Sequence, residues 1–319
     1  MDLAQAGSGH GGRAGRGAGS PARLLPGRGA QGGVRLSPPL TLLAALQRAE
    51  EFLRRKGVAG PRLDAQVLLA HRMGLSRLQL YLRFEQPLTA AEQDDLRELL
   101  RRRAAGEPVA YLVGAKEFYS LPFRVDERVL IPRPDSETLI DAAREVFCSA
   151  APAAIADVGT GSGCLLCALA KEFPSCRGVG IDCDPGALQV AEANVGELGL
   201  IERLRLARGD LLAGEAGPFD LIVANLPYIP AGEIERLPQE VRREPRLALD
   251  GGPDGLDLIR RVIPQAMERL SARGWLLLEM GQGQAEAVRE RLAAAGFEDV
   301  RVWKDLSGIE RVAGGRRPG

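Results

Sequence analysis

The apolar pattern of this chain predicts an α/β protein: a doubly wound, mainly parallel sheet with helices on both faces, preceded by a small helical domain. Three observations predict it. From residue 153 onward, strand-type and helix-type runs alternate, as they do in sheets whose strands are joined by crossover helices. Residues 41–106 carry helical periodicity alone. A glycine-rich turn, "DVGTGSG" at 157–163, joins the first strand of the alternating region to its helix.

Residues 1–40 place Arg13, Arg16, Arg23, Arg28 and Arg35 among many glycines, with only Asp2 to oppose them. Nothing there is periodic, and the composition predicts a disordered tail. A wealth of Gly, little Ser and no amphipathic pattern speak against an organellar transit segment; a start codon placed too far upstream is a further reading. In "TLLAALQRAEEFLRRKG", Leu42, Leu43, Leu46, Ala49 and Leu53 share one helical face, closed by Gly57. A second helix, "PRLDAQVLLAHRMG", starts after Pro61 and closes at Gly74. Thr89 and Glu92 form a capping-box pattern before "QDDLRELLRRRAAG".

Residues 107–140 mix alternating β-type residues with a Gly and two close prolines. They read as a hairpin linker over 107–135, then a helix from about Ser136. The sheet domain is assigned to 136–319. Its strands are expected at "AAIADVG", "RGVGID", "RLRLARGD", "FDLIVAN", "GWLLLEM", "VRVWKD" and "IERVAG". Helices are expected between them, one with Asp184 as N-cap and Pro185 at its first position. The last two strands have no helix between them, which predicts one antiparallel edge strand.

The totals bound the function. The chain has 319 residues, and Lys+Arg and Asp+Glu are equal at 42 each. That balance argues against broad, sequence-independent binding of nucleic acid, which needs a strong positive field. Five cysteines, an odd number, and no secretory signal make a disulfide framework unexpected. Cys164-x-x-Cys167 has no second ligand pair nearby, since the two histidines are His10 and His71. It reads as two small apolar residues on a buried helix face, and His71 as a surface or satisfied side chain. With no apolar run of membrane-spanning length, the chain reads as soluble and of a reducing compartment, the cytoplasm.

The glycine turn points to a ligand. Gly159, Gly161 and Gly163 are spaced G-x-G-x-G, with Thr160 and Ser162 between them. Such a loop permits tight turning and close backbone approach, but it lacks both the dinucleotide spacing and the lysine of a triphosphate loop. Asp182, at the end of the second strand, can accept both hydroxyls of a ribose. Asp210, ending the third, stands where an adenine amino group could be held, with Leu211 against the ring. S-adenosyl-L-methionine fits these features better than NAD: it has ribose and adenine but no pyrophosphate, and its methionine carboxylate suits the helix N-terminus after Gly163.

Several stretches, in order, then carry a resemblance. "RRRAAGEPVAYLVGAKEF", "VLIPRPDSETL", "IADVGTGSG", "EPRLALDGGPDGLDLIRRVI", "LEMGQGQ" and "DLSGIERV" resemble the HemK/PrmC family of protein-(glutamine-N5) methyltransferases from about Leu42 to Val312. The resemblance implies a Rossmann-like class I S-adenosylmethionine-dependent sheet. It implies methylation of the glutamine in the Gly-Gly-Gln tripeptide of peptide chain release factors, with the helical domain helping to dock that transient partner. A monomer is expected. Two departures stand out: Pro134-Asp135-Ser136-Glu137 where the family has Pro-Glu-Thr-Glu, and Asn225-Leu226-Pro227-Tyr228 where it has Asn-Pro-Pro-Tyr.

The second departure leaves an alternative. Asn-Leu-Pro-Tyr is also the form in ribosomal RNA adenine dimethyltransferases, so an RNA or DNA adenine-N6 methyltransferase is the runner-up, with the basic run Arg101–Arg103 beside it. A module that binds the cofactor but has lost activity is a third reading. In either catalytic reading the nucleophile is a flat nitrogen with a delocalised lone pair. The Asn225 side-chain oxygen and the main-chain carbonyl of residue 226 can accept its two N–H bonds, an arrangement that favours a pyramidal nitrogen and so acts in the transition state. Tyr228 would pack against the planar group, and Pro227 would keep residue 226 extended.

Overall fold

The computed structural model describes residues 40–319. The tail expected over 1–40 lies, but for its last residue, outside them.

The helical body is built around its own core. Helix α1 (Leu42–Arg55) begins at Thr41, whose hydroxyl accepts the Ala44 N–H, and buries Leu42, Leu46, Ala49 and Leu53. It packs on α2 (Pro61–Met73), which ends at the left-handed Gly74. A short α3 (Arg77–Leu82) and then α4 (Ala90–Ala104) follow, each opened by a reciprocal capping box, Ser76 with Gln79 and Thr89 with Glu92. A further turn of helix, α5 (Val109–Val113), sits where β-type residues were expected. Its Leu112 is buried among the leucines of α1, α2 and α4, so tertiary burial overrides the strand preference of "VAYLV".

A hairpin, β1 (Ala115–Phe118) and β2 (Leu121–Arg124), then leads to a 3-10 turn at Pro134–Ser136 and α6 (Glu137–Val146). The remaining elements alternate: β3 (Ala154–Val158), α7 (Cys164–Glu172), β4 (Arg177–Asp182), α8 (Pro185–Glu197), β5 (Leu204–Arg208), β6 (Phe219–Ala224), α9 (Asp257–Arg269), β7 (Leu270–Glu279), α10 (Ala285–Ala294), β8 (Glu298–Lys304) and β9 (Glu310–Arg316). As expected, Asp184 caps α8, accepting from the Gly186 and Ala187 N–H groups.

The sheet runs β5-β4-β3-β6-β7-β9-β8. Only β9 runs against the direction of the other strands of this sheet. It is not an edge strand, which corrects the sequence reading. It lies between β7 and β8, and β8 is the edge. Gly314 and Gly315 admit it there, since a Cβ on either would press within 2.8 Å of Leu277 or Phe297.

Candidate active site

The topology sets the site. The chain winds outward from β3 through β4 to β5, then returns to β6 on the other side of β3. Ligands of doubly wound sheets bind at such a reversal, beyond the carboxyl ends of the strands. The register there is specific: Val158 pairs with Ala224, and Ala224 with Leu278. The residues that follow, Gly159, Asn225 and Glu279, therefore emerge side by side.

A cavity of about 310 Å³ opens at this point, within the range of small-molecule sites. Its wall includes Gly159, Thr160, Gly161, Ser162, Asp182, Asp210, Leu211, Asn225, Leu226 and Pro227, which gathers most of the residues singled out in the sequence. Gly163 and Tyr228 are not on this wall. Gly163 instead starts α7 in a left-handed conformation, its Cα face against Ala191 of α8.

The glycine loop is held from below. Both Gly159 and Thr160 donate N–H to the Ile181 carbonyl, and the Asp182 carboxylate accepts the Gly161 N–H at 2.9 Å and the Asp184 N–H at 3.0 Å. Burial pushes Asp182 up from the ordinary carboxylate range, and those N–H donors oppose the shift. Gly159 has φ +72°, and a Cβ there would lie 3.0 Å from the Leu226 side chain. Beneath the loop, Asp157 is fully buried; one oxygen accepts from the Thr160 hydroxyl at 2.6 Å and the other has no partner. Burial raises its pKa to about 7.

The cavity suits S-adenosylmethionine. Its wall is mostly apolar, as adenine requires. Asp182 has lone pairs left for a ribose. Asp210 stands at the rim, where it also pairs with Arg261 at 2.5 Å, so an adenine amino group would share that carboxylate. Cys164 and Leu165 line the cavity too. Burial pushes the Cys164 thiol up to about 12, and its neighbour Cys167 is buried. Among the described residues no cluster of His, Cys, Asp and Glu could hold a metal ion.

The Asn-Leu-Pro-Tyr loop is clamped by the stretches that carried the resemblance. Ile229 donates to the Leu249 carbonyl, and Gly251 donates back to Ile229. Gly251 and Gly255 let this backbone lie close: Cβ atoms there would stand 2.7 Å from the Pro227 carbonyl oxygen and 2.2 Å from that of Tyr228. Only glycine fits, which explains "GG-x-DGL". Gln284, from "GQGQ", donates to the Tyr228 carbonyl at 3.0 Å while its oxygen accepts from Gly281. Glu244, buried, accepts the Ile131 N–H at 3.0 Å and pairs with Arg133, so the "EP" stretch and the "IPRP" loop close together over the cavity. Burial raises the Glu244 pKa, and Arg133 opposes the shift.

Asn225 donates from Nδ2 to the Ser136 hydroxyl oxygen at 3.0 Å. The Tyr228 hydroxyl donates to Glu279 Oε1 at 3.2 Å. Glu279 is 2 % exposed, and burial raises its pKa to about 7. Sequence reasoning missed Ser136, Glu279, Glu244 and Gln284 as site residues. One signal was there for Glu279: a carboxylate ending the wholly apolar run "WLLL".

The fold and the site define a class I S-adenosylmethionine-dependent methyltransferase. Family models for the PrmC N-terminal domain and for a methyltransferase domain match residues 44–114 and 155–246. A release factor glutamine methyltransferase of Geobacter sulfurreducens is 43% identical over 278 residues, covering 86% of this chain and 96% of that protein. One of Bradyrhizobium diazoefficiens is 43% identical over 291 residues, covering 89% and 98%. The chain belongs to the family of release factor glutamine methyltransferases. A solved structure of the hMettl16 catalytic domain with a MAT2A 3′UTR hairpin superposes with TM-score 0.53 at 16% identity, covering 73% of this chain and 83% of that one; this likeness is of fold alone.

Proposed function

We infer that the chain methylates the side-chain amide nitrogen of the glutamine in the Gly-Gly-Gln motif of peptide chain release factors, using S-adenosylmethionine. The observation that carries this is the match to release factor glutamine methyltransferases over nearly the whole length of both chains. S-adenosylmethionine supplies an electrophilic methyl group. The chain's residues do the rest by placement. Asn225 Oδ1 and the residue 226 carbonyl accept the two N–H bonds of the substrate amide, which concentrates its lone pair on one side. Leu226 supplies that carbonyl as well as a proline would. Tyr228 stacks against the amide plane, and Gly159, Thr160, Gly161, Ser162, Asp182, Asp210 and Leu211 hold the cofactor. Gly163 serves that site by starting the helix behind the loop.

Leu226 favours a second reading, an adenine-N6 methyltransferase of RNA or DNA. The arginines that motivated it speak against it. Arg101 pairs with Glu98, Arg102 with Glu107, and Arg103 is buried against Asp64 and Glu240. Arg103 is thus buried rather than presented to a ligand, and the run offers no free basic patch. We further propose a monomer that meets its partner transiently in the cytoplasm; among the described residues no helix is long and apolar enough to cross a membrane.

The test is incubation with labelled S-adenosylmethionine and either a release factor or ribosomal RNA. Label on the release factor is expected, lost when its Gly-Gly-Gln glutamine is replaced. Label on the RNA alone would sink the inference.

A further inference from the structure

We propose that Ser136 and Glu279 are positioning residues for methyl transfer, holding the Asn225 amide with its nitrogen turned away from the substrate and its oxygen available to it. The proposal rests on the role given to Asn225 above and adds how that role is enforced.

An asparagine side chain has nearly the same shape in either of its two flipped orientations, so its neighbours decide which end faces a ligand. A serine hydroxyl alone cannot decide, because it both donates and accepts. A carboxylate can, because when charged it only accepts. The register supplies one: Ala224 pairs with Leu278, so Glu279 emerges beside Asn225. Ser136 reaches the same point from the turn that starts α6, and both it and Glu279 are 2 % exposed. The Ser136 hydroxyl faces the Glu279 carboxyl and favours its charged form. The Tyr228 hydroxyl is spent on Oε1, while Oε2 is buried with no hydrogen-bond partner of its own. A buried carboxylate oxygen left unanswered is costly, and the proposal gives it the proton of the neighbouring Ser136 hydroxyl. Ser136 then has only lone pairs to offer Asn225. It accepts from Nδ2 at 3.0 Å, and Oδ1 is left for the substrate amide.

One carboxylate thereby orients both Asn225, through Ser136, and Tyr228, directly. A purely structural role would not need it, since an apolar side chain in this interior would stabilise at least as well. The other groups facing Glu279 are Arg311 on β9, Asp135 next to Ser136, and the Cys164 thiol on α7. Arg311 is itself paired with Asp305 and Asp135.

The test is steady-state kinetics of the full chain with a release factor, for Ser136→Ala, Glu279→Gln and Asn225→Ala, with cofactor affinity measured by calorimetry. Ser136→Ala and Glu279→Gln are each expected to lower kcat on the order of 10- to 100-fold, with KM for the release factor and Kd for S-adenosylmethionine changed less than about threefold. Wild-type kcat should fall as pH drops through about 7, where Glu279 gains a proton and ceases to accept; that acid limb should vanish in Glu279→Gln. Unchanged kcat in both variants, with Asn225→Ala dead, would overturn the positioning role and leave Asn225 its own. A loss that appears in KM, or in cofactor affinity, would overturn it too. An active Asn225→Ala would instead remove the reading underneath.

Discussion

At the scale of residues, the site is a set of acceptors with fixed aim. Asn225→Ala is expected to abolish detectable transfer, a loss on the order of 10³-fold or more, while calorimetry still shows cofactor binding; near-wild-type turnover would refute its role. Leu226 is a different matter. Its side chain is 4 % exposed and packs under the glycine loop, so its methyl groups belong to the core, and the role proposed for it uses only its carbonyl. Leu226→Pro should therefore keep kcat within about threefold of wild type yet lower stability by about 1–2 kcal/mol. Denaturant titration set beside turnover checks both halves. Asp157 makes a third case. Its folded pKa of about 7 stands above the ordinary value of 3.8, so the folded chain binds the extra proton. The contribution of Asp157 to stability is greatest on the acid side of that window, declines as pH rises from about 4 to 7, and is flat above. Glu279, raised to about 7 as well, adds to the decline, so Asp157→Asn should make it shallower, with a gain of about 2–4 kcal/mol above pH 7 that disappears toward pH 4. Thermal melts of the cofactor-free protein at several pH values would show it.

At the scale of elements, the helical body meets the sheet domain through apolar packing of Ala110 and Tyr111 with Val125, Val129, Ala187 and Val190 and through a polar cluster beside it. Arg103 bonds Asp64 and the Glu107 carbonyl within the body and Glu240 across the joint. Gln239 and Arg243 donate to the Ala105 carbonyl. Arg103→Met would leave Asp64 without its buried partner and should destabilise the helical body by about 3 kcal/mol, seen as earlier proteolysis of α2 and α4. The elements also show what a sequence discloses. Helices α1, α2, α4 and α8 were legible because the apolar face of α1 closed by Gly57, and Gly74, Thr89 with Glu92, and Asp184 at the ends of the others, each do locally what their chemistry favours. The short α3 and α5 were not, since one or two turns carry no measurable period. That the glycine loop, Asp182 and Asn225 line one cavity was legible because each is tied to a strand end. Ser136 and Glu279 were not, because they meet only through a register that pairs residues 224 and 278.

At the scale of the whole molecule, equal numbers of acidic and basic residues predict how the enzyme meets its substrate. A protein that recognises nucleic acid through six or more phosphates loses roughly 10³-fold in affinity between 50 and 200 mM salt. Here the KM for the release factor should change by less than about tenfold over that range; a steeper dependence would point back to the runner-up substrate. The placement of β9 has a consequence of another kind, in time. It is made after β7 and β8, yet it lies between them. As the chain leaves the ribosome, both older strands must wait with open hydrogen-bonding edges. Open edges of that sort recruit foreign strands, so a chain cut short before β9 would carry two unpaired edges prone to aggregation.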